Sequence, residues 1–146
     1  MTITVAPLTE ADLPTFVQIE LEAFRSHPRF PMLWPRGYTD DLYAYYLANK
    51  RASFDNQACH LFKAVDELTG NIIACSEWTY VLDPVAQARD RIPVDPNGPP
   101  PANFPHDGNW AIKRFFDLNL EKWERRYLTG KAHISKQLAC YFAGVA

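Results

Sequence analysis

The stretch HLFKAVDELTGNIIACSEWTYV, residues 60–81, decides the fold. Two apolar runs, Leu61–Val65 and Ile72–Val81, flank the polar segment Asp66-Glu67-Leu68-Thr69-Gly70-Asn71. Gly70 has no Cβ to clash at positive φ, so the segment reads as the turn of a β-hairpin. Alternation along the second run puts Ile72, Ala74, Ser76, Trp78 and Tyr80 on one face and Ile73, Cys75, Glu77, Thr79 and Val81 on the other. Neither face is plainly wet. A strand that is apolar on both sides belongs in the middle of a covered sheet.

Outward from the hairpin toward the N-terminus, Thr2–Pro7 is alternating and β-branched, a first strand ended by its proline. Thr9 then caps a helix, with Asp12 returning the capping bond, Leu8 stapled against Leu13, and Pro14 tolerated only because it lies in the first turn. Leu13, Phe16, Val17, Glu20 and Phe24 share one side of a helix over Leu13–Phe24, with Gln18 and Glu22 outward. Glu20 is the odd member of that apolar side. The following segment RSHPRFPMLWPRG, residues 25–37, has prolines that forbid a regular helix, yet Phe30, Met32 and Trp34 carry too much apolar surface for a solvated linker. It is expected to fold down over the body. A second helix starts at the cap Thr39, with Asp40 and Asp41 in its positive first turn, Leu42, Tyr45, Tyr46 and Asn49 as its inner stripe, and Lys50 and Arg51 at its negative end.

Outward in the other direction, prolines crowd Asp83–Pro105, which excludes helix and interior strand and marks residues 83–107 as a long loop or insertion. Ile112, Phe116, Leu120, Trp123 and Tyr127 then form the apolar stripe of a helix. Arg114, Asp117, Glu121, Glu124 and Arg125 lie opposite, Glu121 and Arg125 pair at i,i+4, and Thr129-Gly130 ends the helix. Lys131–Ala146 leaves two options open, a strand beginning at Ala132–Ser135 or a terminal helix.

The 146 residues suit one domain. A net charge of −2 with no basic block longer than two residues gives no reason to expect a nucleic-acid or membrane partner. Cys59, Cys75 and Cys140 lack CxxC spacing and are odd in number, so reduced thiols are expected rather than a disulfide framework or zinc site. His27, His60, His106 and His133 show no ligand spacing, and no metal is expected. No signal peptide or membrane span is visible, which suggests a cytoplasmic protein.

The order strand, capped helix, aromatic-proline loop, helix, hairpin resembles the N-terminal half of the GNAT superfamily of acyl-CoA-dependent N-acyltransferases. Ile3-Thr4-Val5-Ala6-Pro7-Leu8-Thr9-Glu10-Ala11-Asp12-Leu13-Pro14 is similar to its opening strand and T-x-x-D-L helix start. Ala64-Val65-Asp66, Thr69-Gly70 and Ile72-Ile73-Ala74-Cys75-Ser76-Glu77-Trp78 are similar to its second and third strands, and Leu33-Trp34-Pro35 to its helix-to-helix loop. The resemblance covers residues 2–81, with weaker similarity over 108–134. It implies an α/β (α+β) domain, a partial GNAT-like fold with a mixed, mostly antiparallel sheet and helices on both faces, in the order strand-helix-helix-strand-strand-loop-helix. It also implies acyl transfer from acetyl-CoA to a small amine.

That superfamily grips the CoA pyrophosphate with a Q/R-x-x-G-x-G/A loop, whose backbone N–H groups open onto a helix N-terminus. Glycine occurs here at 37, 70, 98, 108, 130 and 144, so no G-x-G exists. Gly144-Val145-Ala146 comes nearest, with Tyr141 at the Q/R position. The expectation is therefore a domain truncated on its C-terminal side, catalytically incomplete, that binds acetyl-CoA weakly or not at all. The alternative is a non-catalytic binding module that keeps the acceptor side and covers its open sheet edge with a partner or a second copy.

Amine attack on a thioester needs a base. Glu77, the one carboxylate inside an apolar strand, is the catalytic candidate, since burial raises a carboxyl pKa; otherwise it sits at a sheet edge or pairs with a lysine. Glu20 and Glu22 resemble acceptor-side positions, or are solvated helix carboxylates. Phe24, Phe30, Trp34, Trp78 and Tyr80 either line an acceptor pocket or pack as core. Ser76, Ser135 and the cysteines lack a G-x-S-x-G elbow and carry little weight as hydrolase nucleophiles.

Overall fold

In the computed structural model, which describes residues 2–86 and 93–141, the hairpin forms as read. Strands β2 (Cys59–Asp66) and β3 (Ile72–Val81) pair antiparallel, with Leu61 opposite Glu77 and Lys63 opposite Cys75. Gly70 sits at φ 72°, and its N–H donates to the Asp66 carbonyl at 2.7 Å. The Asp66 carboxylate closes the turn by accepting from Leu68 N and Thr69 Oγ1. Strand β1 (Ile3–Pro7) pairs antiparallel with β2, and β4 (His133–Tyr141) pairs antiparallel with β3. The sheet order is β1-β2-β3-β4, so β3 is interior, as its two-sided apolar pattern requires.

Helix α1 (Leu13–Phe24) begins where the capping pattern places it. The Asp12 carboxylate accepts from Thr9 N at 2.8 Å and from Lys63 Nζ at 2.6 Å, tying the helix start to β2. Burial pushes the Asp12 carboxyl upward, but the Lys63 and Thr9 contacts together outweigh it and hold the pKa below the ordinary value. Leu8, Leu13, Phe16, Ile19, Leu61 and Cys75 form the core between α1 and the sheet. Each fully buried apolar side chain there contributes roughly 1.5–3 kcal/mol.

The aromatic-proline segment departs from expectation in one respect. It contains a single helical turn, α2 (Phe30–Leu33), possible because Pro31 falls in the first turn, where its missing N–H costs nothing. As expected, Phe30 and Trp34 fold down, joining Val17, Leu21 and Leu42 in a second core between α1, α2 and α3 (Asp40–Asp55). Helix α3 is one turn longer than read. Lys50 therefore lies inside it, buried, and Asn49, read as inner, is exposed.

Past β3, the Asp83 carboxylate caps Val85 N and Ala86 N, and residues 84–86 turn helically with Pro84 leading. That corrects the reading of this stretch as loop throughout; residues 87–92 lie outside the described residues. Helix α4 (Trp110–Tyr127) follows, and the undecided tail resolves at residues 133–141 into β4.

The element order is the one read from sequence, and the described strands form a four-stranded antiparallel sheet in an α/β fold. Helices α1 and α3 pack on one face of that sheet, and α4 packs on α2. Its start is held there by Asn109 N donating to the Leu33 carbonyl at 2.8 Å and by Trp110 meeting Phe104 edge-on. One expectation is corrected: α4 is rotated from its expected setting. Glu121 is buried, accepting from Val94 N and Arg125, while Leu120, Trp123 and Tyr127 are exposed.

Candidate functional site

The apolar stripe of α1 carries Glu20, the stripe of α3 carries Lys50, and the inward face of β3 carries Glu77. The packing of α1 and α3 on the sheet brings the three together. Lys50 Nζ lies 2.6 Å from Glu77 Oε2 and 3.3 Å from Glu20 Oε2, and 4.9 Å above the Phe16 ring. Ser53, one turn along α3, donates to Glu77 Oε1 at 2.8 Å. Both Glu77 oxygens are thus occupied. Glu20 is less well served: its buried Oε2 lies 3.3 Å from Lys50 Nζ but makes no hydrogen bond among the described residues.

One ammonium between two carboxylates leaves a surplus negative charge in a dry place. Burial raises the Glu20 pKa to about 7, the attraction of Lys50 offsetting it in part and the Glu77 charge adding to it. Lys50 feels burial in the opposite sense, but the two carboxylates prevail and its pKa is raised. Glu20 is therefore the carboxyl that exchanges a proton near neutral pH.

A second feature involves the same helix. A cleft of ≈ 480 Å³ is lined by Gln18, Ile19 and Glu22 of α1, by Tyr38 before α3, and by Ile72 at the start of β3. Its floor is aliphatic and its rim carries a carboxylate, an amide and a phenol. Burial, then the neighbouring Tyr43 ring and the Glu22 and Asp40 carboxylates, hold the Tyr38 phenol in its neutral form by raising its pKa. Among the described residues the charged partner of Glu22 is the exposed Arg25, at 3.5 Å.

The residues singled out from sequence are divided by the sheet. Phe24, Phe30 and Trp34 belong to the helical cores on the α1 side. Trp78 and Tyr80 lie on the opposite face of β3, where Trp78 Nε1 donates to Ser76 Oγ at 3.1 Å and Tyr80 meets the His60 ring edge-on at 4.8 Å. The five therefore line no common pocket, because alternation sends Trp78 and Tyr80 away from Glu77 and from the helices. Glu77 is among the residues brought together, paired with a lysine. Glu20 joins it in the interior, whereas Glu22 is on the cleft rim. Sequence reasoning missed Lys50 and Ser53, although Leu42, Tyr46, Lys50 and Ser53 fall on one helical stripe. An acid on the inner face of one helix and a base on the inner face of the next is a legible sign of a buried pair. Tyr38 and Ile72 had no such sign, since only the tertiary fold makes them neighbours of α1. Among the described residues no group of three or more His, Cys, Asp or Glu could hold a metal ion, and no helix is long and apolar enough to cross a membrane.

No protein-family model matches this chain, and no curated protein matches it in sequence. Among solved structures, it is similar to a histone acetyltransferase HPA2 and related acetyltransferase from Corynebacterium glutamicum, at 24% identity and a TM-score of 0.41, over 86% of this chain and 72% of that one. It is also similar to the aminoglycoside antibiotic 6'-N-acetyltransferase AAC(6')-Ih from Acinetobacter baumannii, at 14% identity and a TM-score of 0.36, over 89% of this chain and 76% of that one.

Proposed function

We propose that this chain is the acceptor-side part of a GNAT-type N-acyltransferase, a fold whose intact relatives move an acetyl group from acetyl-CoA to a small amine. One observation carries the reading: β1, β2 and β3 lie side by side in chain order, with the two long helices between β1 and β2 packed together on one face. The side-by-side strands are what the opening motifs imply, and a cleft opens at the start of β3 beside the last turns of α1. In this reading the cleft takes the amine. The Glu20–Lys50–Glu77 cluster holds α1, α3 and β3 in register, and Glu20 provides a carboxyl whose proton affinity suits exchange near neutrality.

The sequence contains no G-x-G with which to cradle a pyrophosphate. Acetyl-CoA binding by these 146 residues on their own is accordingly weak or nil. Isothermal titration with acetyl-CoA tests this. No heat of binding is expected at micromolar concentrations; saturable micromolar binding would mean that a cofactor site exists elsewhere in the chain.

A second reading, a non-catalytic module that assembles with a second copy of itself, is supported by the outward setting of α4, which exposes Phe115, Leu120, Trp123 and Tyr127. Light scattering across a concentration series tests this second reading, and a persistent monomer would count against it.

A further inference from the structure

The cleft between α1, Tyr38 and Ile72 has a chemistry that narrows what it takes. Its volume of ≈ 480 Å³ falls in the range of small-molecule sites, too large for a bare ammonium or methylamine and too small for a folded partner's loop. Ile19 and Ile72 offer an aliphatic floor that rewards an apolar body. The charge on its rim is of one sign. Glu22 is the lining carboxylate, and Asp40 is close enough to act on Tyr38. The cleft also lies along the last turns of α1, where the helix dipole is negative. The basic residue there is the C-cap Arg25, which is highly exposed and reaches Glu22 by a long i,i+3 contact, a pair that water and salt weaken. Tyr38, kept neutral, presents a ring face to a cation and a hydroxyl to an amine or its solvating water.

From these we infer that the cleft is a binding site for a monocationic primary amine carrying a short aromatic or branched apolar body. The ammonium sits between Glu22 and Tyr38, and the body lies on Ile19 and Ile72. The apolar floor and the single lining carboxylate disfavour polyamines, which would leave further charges over aliphatic surface. This inference rests on the acyltransferase reading only for the fate of the amine. Binding itself needs neither coenzyme nor catalysis.

The test is titration of the whole chain with phenethylamine, with its neutral counterpart phenethyl alcohol, and with spermidine, followed by two-dimensional amide NMR. Phenethylamine is expected to bind with Kd on the order of a millimolar or tighter, as befits a ligand of so few atoms. The shifts should concentrate at Gln18, Ile19, Tyr38 and Ile72. The alcohol and the variant Glu22→Gln should each bind at least ~5-fold more weakly, since both remove the charge pair. Glu22 is exposed, so that substitution leaves the fold intact, and Tyr38→Ala provides an independent second reduction. Shifts scattered over the surface, equal binding of alcohol and amine, an unaffected Glu22→Gln, or spermidine binding more tightly than phenethylamine would each overturn the inference. The acetyl-CoA titration reports separately on the acyltransferase reading, so failure of one is distinguishable from failure of the other.

Discussion

Glu20 is the residue whose surroundings and ionisation conflict most. It is buried between two helices, its partner Lys50 is held closer by Glu77, and one of its oxygens lacks a hydrogen bond. Its folded pKa of about 7 stands above the ordinary 4.5 of the unfolded chain. The native state therefore binds the Glu20 proton more tightly than the unfolded state does. The stabilisation linked to that proton is full below about pH 4.5 and is lost as pH rises through 7, an effect on the order of 3 kcal/mol by linkage. Replacing Glu20 with Gln should flatten this decline. The variant is expected to be more stable than the parent at pH 8 and close to it at pH 5, measured by urea unfolding at both pH values. Parallel curves for the two proteins would show that Glu20 does not titrate in this window. The Lys50 side of the cluster makes the opposite prediction. Lys50→Met leaves two carboxylates buried without a counter-ion and should cost about 3–5 kcal/mol at pH 7, read from the urea midpoint, with partial recovery when Glu77→Leu is added.

At the scale of elements, what could be read from sequence and what could not divide along a physical line. The hairpin turn at Gly70, the cap at Thr9 and Asp12 and the start of α3 at Thr39 are all set by atoms a few residues apart, so the local sequence contains their causes. The Gly70 case is directly testable. At φ 72° an added Cβ meets no neighbour but strains its own backbone, so Gly70→Ala should cost about 1–2 kcal/mol with no change in the core. Gly108→Ala should fail for a different reason. Its Cβ would come within 2.8 Å of the Trp34 ring and 2.7 Å of Phe104, rings packed in or against the second core, and overpacking there should cost about 1–3 kcal/mol, seen as a lowered melting temperature. The setting of α4 and the strand nature of the tail were not legible, because each depends on distant partners. Periodicity tells which residues of α4 share a face. It does not tell which face meets the protein, and contacts of Asn109 and Trp110 with α2 and the loop decide that. Likewise, alternation separated Trp78 from Glu77 correctly, but only the crossing of α1 and α3 over the sheet reveals which face is covered. The proposed grouping of Trp78 with Trp34 failed at that step.

At the scale of the molecule, the described residues leave apolar surface uncovered in two places that complement each other in kind. The sheet face turned away from α1 and α3 includes Ile3 and Val5 of β1, both largely exposed, beside the half-buried Phe62, Trp78 and Tyr80. Helix α4 presents Leu120, Trp123 and Tyr127 outward along successive turns. Monomeric proteins seldom keep contiguous apolar patches of this kind in water, and among the described residues β1 is an edge strand of the sheet. A helix stripe and a bare sheet face form a layer when they meet, and each copy of the chain carries both. Concentration-dependent association is therefore expected, with mass by light scattering rising from one chain toward two or more as concentration increases. If α4 supplies the contact, Leu120→Glu with Trp123→Glu should restore a monomer without lowering the melting temperature, since neither side chain supports the described core. If the β1 edge supplies it, that double variant should associate like the parent, while Val5→Pro, which removes an N–H and blocks strand addition, should separate the copies.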